Sequence, residues 1–262
     1  MRLDAITRGA KDGGRKSLVA FLTAGYPDED TFVDVMVAAS KAGCDVIEIG
    51  IPFSDPIADG PVIQAASTHA LAGGMTLTRA LELAAANSER LDSALVLMGY
   101  INPIMNLGLG EFAQTAARSG ISGVILPDVP LEESADMRIA FSKAMLDYID
   151  LLAPTSSDER VAAIAEQATG FLYLVSVTGV TGAGTASASD LGAFVARVRA
   201  VTDVPAYVGF GISSPEQAAT VCGVADGVII GSQLIRTIDD GDPASAADRV
   251  GSFLTEVRAA ID

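Results

Sequence analysis

The stretch DVIEIGIPFSDPIADGPVIQ, residues 45–64, decides how the rest of the chain is interpreted. It begins as an apolar, β-branched run that carries one carboxylate, Glu48, near its end. It then breaks at Pro52 into a proline-stiffened loop that contains Asp55 and Asp59. Such a run is typical of a strand buried on both faces. A buried strand that leads into a rigid acidic loop is a suitable position for acid–base chemistry.

Short apolar runs of the same kind recur along the chain, separated by segments with helical periodicity. They predict buried strands, and start signals such as Ser213–Ser214–Pro215 support the helices. The predicted strands are Ser17–Thr23, Asp45–Gly50, Ala94–Tyr100, Gly123–Pro127, Tyr148–Ala153, Gly170–Ser176, Pro205–Phe210 and Asp226–Ile230. The predicted helices are Leu3–Lys11, Asp30–Ala42, Leu77–Ser88, Gly110–Arg118, Asp158–Ala168, Leu191–Val201, Pro215–Val221 and Ala244–Ile261.

Strands that alternate with helices, without a linker or a low-complexity segment, predict a single α/β domain over residues 1–262. A closed (β/α)₈ TIM barrel with an extra N-terminal helix fits the length and the number of strands. A doubly wound open sheet is the alternative, but it usually has fewer strands and one dominant glycine-rich crossover. In a barrel the chemistry takes place at the carboxyl-terminal ends of the strands, so residues at those ends become site candidates.

The composition narrows the classes of function. The formal net charge is −16 and no basic stripe is present, which argues against nucleic-acid binding. The N-terminus lacks the apolar segment of a secretory signal, and no stretch approaches the ~20 apolar residues of a membrane span. We therefore expect a soluble cytoplasmic protein.

Two cysteines and one histidine supply too few ligands for a structural zinc site, and we interpret Cys44, Cys222 and His69 as packing or surface residues.

Glycines at three strand exits predict a phosphate site. The exits of strands 7 and 8 read VGFGISS and GVIIGSQ, and each is followed by a helix start. Glycines there let free helix amides approach a phosphate dianion, although the same glycines would also allow tight turns. Arg236 is the only cation that follows closely, so neutral amides are expected to hold the anion. The strand-6 exit, which contains Thr181 and Gly182, adds a candidate lid.

The titratable groups indicate the class of reaction. None of the four lysines lies at a predicted strand end, which argues against Schiff-base chemistry. Glu48, among aliphatic residues, is expected to have a raised pKa, and Asp59 could contact a polar group of the substrate. Three alternatives stay open: loop amides bind Glu48, Asp59 caps the helix begun by Gly60–Pro61, or the acids bind Mg²⁺ with Asp128.

Five motifs resemble those of the tryptophan synthase alpha subunit family, in order and over essentially the whole chain: FLTAGYPD, EIGIPFSDPIADGPVIQ, YLVSVTGVTGA, VGFGIS and DGVIIGS. The resemblance implies a lyase of tryptophan biosynthesis that cleaves indole-3-glycerol phosphate to indole and glyceraldehyde 3-phosphate without a cofactor. It also implies an αββα complex with a pyridoxal-phosphate β subunit that receives the indole. Residues 51–60 and the segment around residues 102–106 would face this partner.

The resemblance further implies roles for single residues. Glu48 would be the general acid–base, and Asp59 would hold the indole N–H and stabilise the positive charge of the indolenine tautomer. Tyr173 would pack near Glu48, and Thr181 would contact Asp59 when the lid closes. The indole pocket would be formed by Phe21, Ile63, Met98 and Phe210, with Tyr100 as a further strand-end candidate, and the phosphate would be bound by Gly182, Gly211, Gly231 and Ser232.

Two other functions stay open. One is another phosphate-binding barrel enzyme, such as a sugar-phosphate isomerase or an indoleglycerol-phosphate synthase. The missing strand-end lysine argues against it. The other is a non-catalytic regulatory subunit, and the intact pair of Glu48 and Asp59 argues against that.

Overall fold

Eight parallel strands form the centre of the protein, whose computed structural model describes residues 2–175, 188–209 and 211–262. The strands are β1 Ser17–Thr23, β2 Val46–Gly50, β3 Ala94–Met98, β4 Ile121–Ile125, β5 Asp147–Leu152, β6 Leu172–Val175, β7 Ala206–Gly209 and β8 Gly227–Ile230. Each strand pairs with the next, and β8 pairs with β1 to close a barrel. The prediction of a TIM barrel is therefore confirmed, and the open-sheet alternative is wrong.

Helices follow the strands along the chain. Those in the described residues are α1 Arg2–Asp12, α2 Glu29–Lys41, α3 Pro61–Ala72, α4 Leu77–Asn87, α5 Ile101–Leu107, α6 Leu109–Arg118, α7 Ala135–Lys143, α8 Asp158–Gln167, α9 Ala188–Arg199, α10 Pro215–Cys222, α11 Ser232–Asp239 and α12 Ala246–Ile261. The predicted start signals hold, because Ser157 caps α8 and Ser214 caps α10 through side-chain hydrogen bonds. Among the helices described, none combines the length and the apolar character that a membrane span needs.

Four helices are absent from the predicted list: α3 and α11 were anticipated only by their starts, and α5 and α7 were not anticipated at all. Helix α5 has seven residues, of which only Ile104 is buried. Helix α7 has nine residues and buries only Met137 and Phe141. With so few buried positions, neither segment shows the recurring apolar spacing by which an amphipathic helix is recognised.

The interior of the barrel is filled by side chains from alternate strand positions, because successive residues of a strand point to opposite faces. The register places Glu48 of β2 beside Phe21 of β1 and Val96 of β3. The apolar side chains of this interior include Val19, Phe21, Val46, Val96, Met98, Ile125, Ile149, Tyr173, Tyr207 and Ile229. Glu48 therefore places a carboxyl group in surroundings that are otherwise apolar.

Helix α1 closes the amino-terminal end of the barrel. Its residue Leu3 is fully buried and lies against Gly123 and Gly170, where an added Cβ would come within 2.8 and 3.0 Å of the Leu3 Cδ2 atom. The rings of Phe171 and Tyr207 stack inside, with 4.5 Å between their centroids. In the part of the chain that the structure describes, the barrel interior is therefore closed at its amino-terminal end.

Candidate active site

Glu48 lies in the middle of β2 with its side chain inside the barrel. It is fully buried, and no described residue forms a hydrogen bond with either carboxylate oxygen. Burial disfavours the charged form, and the nearby charge of Asp59 disfavours it further. Together they raise the pKa of Glu48 to about 8. Within the described residues, the alternative in which loop amides bind this carboxylate is wrong.

The ring of Phe21 covers the inward position that follows Glu48 on β2. It lies against Gly50, where any Cβ would overlap the ring atoms, so packing requires a glycine at this position. The Glu48 carboxyl group lies one inward position deeper in the barrel. Phe21 lines the open cavity described below, whereas Glu48 does not. Glu48 is therefore buried beneath the residues that line the cavity, to which Phe21 belongs.

Asp59 lies on the loop between β2 and α3. Helix α3 begins at Pro61 with Gly60 as its N-cap and has no side-chain cap, so the alternative in which Asp59 caps this helix is wrong. The loop is held instead by a side chain of α3, because Gln64 Nε2 donates to the Asp59 carbonyl oxygen at 2.9 Å. Burial raises the pKa of the Asp59 carboxyl group to about 6. The Asp59 side chain thus does not cap α3, and it lines the cavity described below.

Tyr100 lies behind this loop. The amide of Ala58 donates to the Tyr100 hydroxyl oxygen at 3.0 Å, and the ring stacks on Phe53 with 5.0 Å between centroids. The hydroxyl group is also close enough to the Asp59 carboxylate to favour its charged form, which lowers the pKa of Asp59 against the effect of burial. Tyr100 is not among the residues that line the cavity. In the described structure it contacts the loop that carries Asp59, and we infer that it positions this acid.

An open cavity of about 700 Å³ lies at the carboxyl-terminal end of the barrel. This volume is within the range of small-molecule sites. The cavity is lined by aromatic and aliphatic side chains, by one acid and by the glycines that follow strands β7 and β8. Its predicted site residues are Phe21, Asp59, Ile63, Met98, Tyr173, Gly211, Gly231 and Ser232.

Tyr173 connects the two acids. It is buried on β6, and the negative charges of both Glu48 and Asp59 contribute to a pKa raised well above its usual value, after burial itself. On β7, a Cβ at Gly209 would overlap the Tyr173 ring, so this glycine makes room for the ring. The structure thus brings Tyr173 close to Glu48, as expected.

The exits of β7 and β8 present backbone amides to the cavity. Gly211 has a φ of 80°, in the left-handed region that favours glycine. Gly231 is the N-cap of α11, and Ser232 is the first residue of that helix. The first N–H groups of a helix have no partner inside it and carry a partial positive charge, which suits an anion.

The place of Arg236 in the cavity lining was not predicted from the sequence. Its side chain lines the cavity together with that of Ser232, four residues earlier in α11. Residues four positions apart lie on the same face of a helix. The spacing was visible in the sequence, but its meaning depended on knowing that α11 begins at Ser232. Other polar residues of the lining that were not predicted are Thr155, Ser213 and Gln233.

The described residues contain neither a candidate metal site nor a lysine at the cavity. No three His, Cys, Asp or Glu side chains there are arranged to hold a metal ion, which removes support for the Mg²⁺ alternative. Asp128 accepts hydrogen bonds from the amide of Ile101 at 3.1 and 3.2 Å, at the start of α5. No lysine of the described part lines the cavity. Thr181, Gly182 and Phe210 lie outside the described residues.

Replacing Tyr100 by phenylalanine is expected to raise the pKa of Asp59 by roughly one pH unit. A hydrogen bond to a charged group contributes about 1.5 kcal/mol, and its loss removes that much stabilisation from the carboxylate. The phenylalanine keeps the stack on Phe53. A carboxyl-carbon NMR titration of Asp59 measures the change. Tyr148→Phe is the control, because no described residue bonds to the buried Tyr148 hydroxyl group. An unchanged Asp59 titration in Tyr100→Phe would contradict the positioning role.

Comparisons with known proteins give one consistent family. The family described as "Tryptophan synthase alpha chain" matches residues 8–261. The tryptophan synthase alpha chains of Citrifermentans bemidjiense and Dehalococcoides mccartyi are both 46% identical to this chain, over 95% of it and over 93% and 96% of their own lengths.

Solved structures agree with this result. The tryptophan synthase alpha subunit of Legionella pneumophila superimposes with a TM-score of 0.92 at 38% identity, over 100% of this chain and 98% of its own. A chain of M. tuberculosis tryptophan synthase in an aminoacrylate-bound form gives 0.89 at 35% identity, over 100% and 99%. The barrel and these matches together show that the chain belongs to the tryptophan synthase alpha chain family.

Proposed function

We propose that this chain cleaves indole-3-glycerol phosphate to indole and glyceraldehyde 3-phosphate. Membership of the family supports this activity. The structural observation that carries the proposal is the pair of carboxyl groups with raised pKa values, Glu48 inside the barrel and Asp59 at the cavity. Groups that titrate near neutrality are suited to proton transfer. No lysine of the described residues lines the cavity, which disfavours the other barrel enzymes considered above.

The reaction requires one proton to be given and one to be taken. Glu48, protonated near neutral pH, donates its proton to C3 of the indole ring, and this forms the indolenine tautomer. The bond between C3 and the glycerol carbon then breaks, and its electron pair restores the indole ring. The adjacent hydroxyl group becomes the aldehyde and returns its proton to Glu48. Atoms and charge balance without another reagent, and the acid ends in its starting state.

Asp59 serves the same reaction in a different role. Its carboxylate accepts a hydrogen bond from the indole N–H, and this bond strengthens when the indolenine carries a positive charge. Phe21, Ile63, Met98 and Tyr173 supply the apolar surface for the ring, and amides near Gly211, Gly231 and Ser232 bind the phosphate. Because Glu48 is fully buried and does not line the cavity, turnover requires a side-chain rearrangement that brings Glu48 into contact with the substrate.

We also propose a tryptophan synthase β chain as the partner, in an αββα complex. Two large apolar side chains are exposed at the carboxyl-terminal end of the barrel: Ile57 is 81% exposed and Met105 is 56% exposed. They belong to residues 51–60 and 102–106, the segments expected to face this partner. Exposed apolar groups beside a cavity are typical of a protein interface.

The acidic composition supports a place in the cytoplasm.

Indole release from indole-3-glycerol phosphate is expected to follow a bell-shaped pH profile, with kcat/KM falling below about pH 6 and above about pH 8. Asp59 loses its charge as the pH falls through its pKa, and Glu48 loses its donated proton as the pH rises through its own. The measurement is the initial rate of glyceraldehyde 3-phosphate formation across this range, with a β chain present.

The possible failures of this experiment have different meanings. If no indole is formed at any pH, the proposed function is wrong. If indole is formed but the rate does not depend on pH between about 5 and 10, the function stands and the roles of Glu48 and Asp59 are wrong.

A further inference from the structure

Helix α11 presents two faces of different character. Leu234, Ile235 and Ile238 are buried against the rest of the protein. Ser232, Gln233 and Arg236 line the cavity. This division follows from the helical repeat, because positions i, i+1 and i+4 share one side while i+2, i+3 and i+6 lie on the other. The helix therefore fixes Arg236 on the same side as the exposed amides of its first turn.

Arg236 is free to bind an anion. Other arginines are engaged, for example Arg138 with Asp150, Arg199 with Asp226 and Arg249 with the Ile238 carbonyl. Of the arginine side chains that the structure describes, Arg236 is the one for which no described residue acts as hydrogen-bond acceptor. A ligand that binds its guanidinium group therefore does not have to break an existing ion pair.

The negative net charge of the chain makes the positive charge of Arg236 important for attracting an anionic ligand. The chain carries a formal net charge of −16, which repels a phosphate dianion at long range. Arg236 is the only lysine or arginine among the described residues that line the cavity. The amides after Gly231 carry only partial charges, equivalent to about half an elementary charge at a helix N-terminus. A guanidinium group adds a full charge and a planar pair of donors that fits two phosphate oxygens.

We propose that Arg236 is a substrate-binding residue, which pairs with the phosphate group of the substrate while the amides of the β8 exit bind the same group. This inference rests on the proposed function and changes one expectation from the sequence, in which neutral amides alone held the anion. The amides and the cation belong to one helix, so the phosphate would be bound by backbone and side chain at fixed spacing.

The test compares Arg236→Gln with Arg236→Lys and with the control Arg118→Gln. Arg118 is in the last turn of α6, before β4, and so lies at the opposite end of the barrel, and its replacement changes the net charge equally. We expect Arg236→Gln to raise KM for indole-3-glycerol phosphate about tenfold with kcat within about twofold, and Arg236→Lys to recover part of the loss. The dependence of kcat/KM on salt should become weaker in Arg236→Gln and stay unchanged in Arg118→Gln.

Binding of the two products separates a phosphate contact from a general loss of structure. Calorimetry should show that Arg236→Gln binds glyceraldehyde 3-phosphate about tenfold more weakly and indole with unchanged affinity. Equal weakening of both ligands, or a KM and a glyceraldehyde 3-phosphate affinity within about twofold of the wild type, would overturn the inference. If the wild type itself forms no indole, the proposed function fails, and the calorimetric comparison still decides whether Arg236 binds phosphate.

Discussion

Glu48→Gln is expected to lower kcat for indole release by about 10³-fold, because the amide can neither donate nor accept the transferred proton. The carboxyl group lies in an apolar interior and no described residue bonds to it, so no other side chain in that part of the chain is placed to replace it. KM should change little, since the substrate contacts at the cavity wall remain. Rates with a saturating β chain, measured near pH 7, provide the comparison.

Glu48→Gln lowers activity, but it should make the folded protein more stable at pH values near 8. Between about pH 4.5 and 8 the unfolded chain has lost the Glu48 proton while the folded chain keeps it, so the free energy of unfolding falls as the pH rises through this range. Glutamine has no charge to bury and removes this loss. Chemical denaturation should therefore show a smaller difference in the free energy of unfolding between pH 5 and pH 8 in Glu48→Gln than in the wild type.

A second buried acid provides a matched control for Glu48. Asp147 is fully buried at the start of β5, at the closed end of the barrel, and burial raises its pKa to about 6. Asp147→Asn should also reduce the dependence of stability on pH, but it should leave kcat unchanged. A Glu48→Gln enzyme that keeps more than about a tenth of the wild-type kcat, or an Asp147→Asn enzyme that loses as much activity, would disprove the catalytic role.

Asp59→Asn is expected to lower kcat/KM by about 10²- to 10³-fold, the usual loss when one charge-stabilising group is removed from a transition state. Asparagine still offers an oxygen to the indole N–H, but it has no negative charge to oppose the developing positive charge. The loss of rate below about pH 6 should disappear as well, because the group that titrates there is gone. A pH profile of kcat/KM measures both effects.

Asp55→Asn is the matched control in the same loop. Asp55 is exposed, accepts a hydrogen bond from the Ser54 hydroxyl group at 2.6 Å and does not line the cavity. Its replacement removes the same charge, so the retro-aldol rate at saturating β chain should stay within about twofold of the wild type. If both variants lose activity equally, the effect comes from the loop as a whole, and a direct contact of Asp59 with indole is excluded.

The barrel could be predicted because each strand carries its own signal. Strand β1 was predicted to the residue, Ser17–Thr23, since an unbroken apolar run fixes both ends. Strand β4 was predicted two residues late, as Gly123–Pro127 instead of Ile121–Ile125. Ser122 and Gly123 interrupt its apolar run, and only pairing with the neighbouring strands defines where it begins. That residues 1–262 form a single domain stays a prediction.

The position of the candidate site and the raised pKa of Glu48 could be predicted from the sequence, but most of the contacts around the site could not. The strand-end rule selected Glu48, although the structure places it in the middle of β2, and its aliphatic neighbours were sufficient to predict that burial raises its pKa. The choice between helix cap and ligand contact for Asp59 depended on the backbone at Gly60. Tyr100 was expected to face the substrate, yet its hydroxyl group bonds to the loop behind Asp59. The functional roles of these residues stay predictions until the variants are measured.

Leu3 closes the amino-terminal end of the barrel, and this affects the route by which the products leave. Among the described residues the amino-terminal end offers no exit, so both products of the proposed cleavage would leave at the carboxyl-terminal end. Contacts to the phosphate would delay the charged aldehyde, and the uncharged indole would leave first. A β chain docked over Ile57 and Met105 would stand beside that end at the moment of its release. A leucine at the far end of the barrel would thus help to direct the products toward this partner.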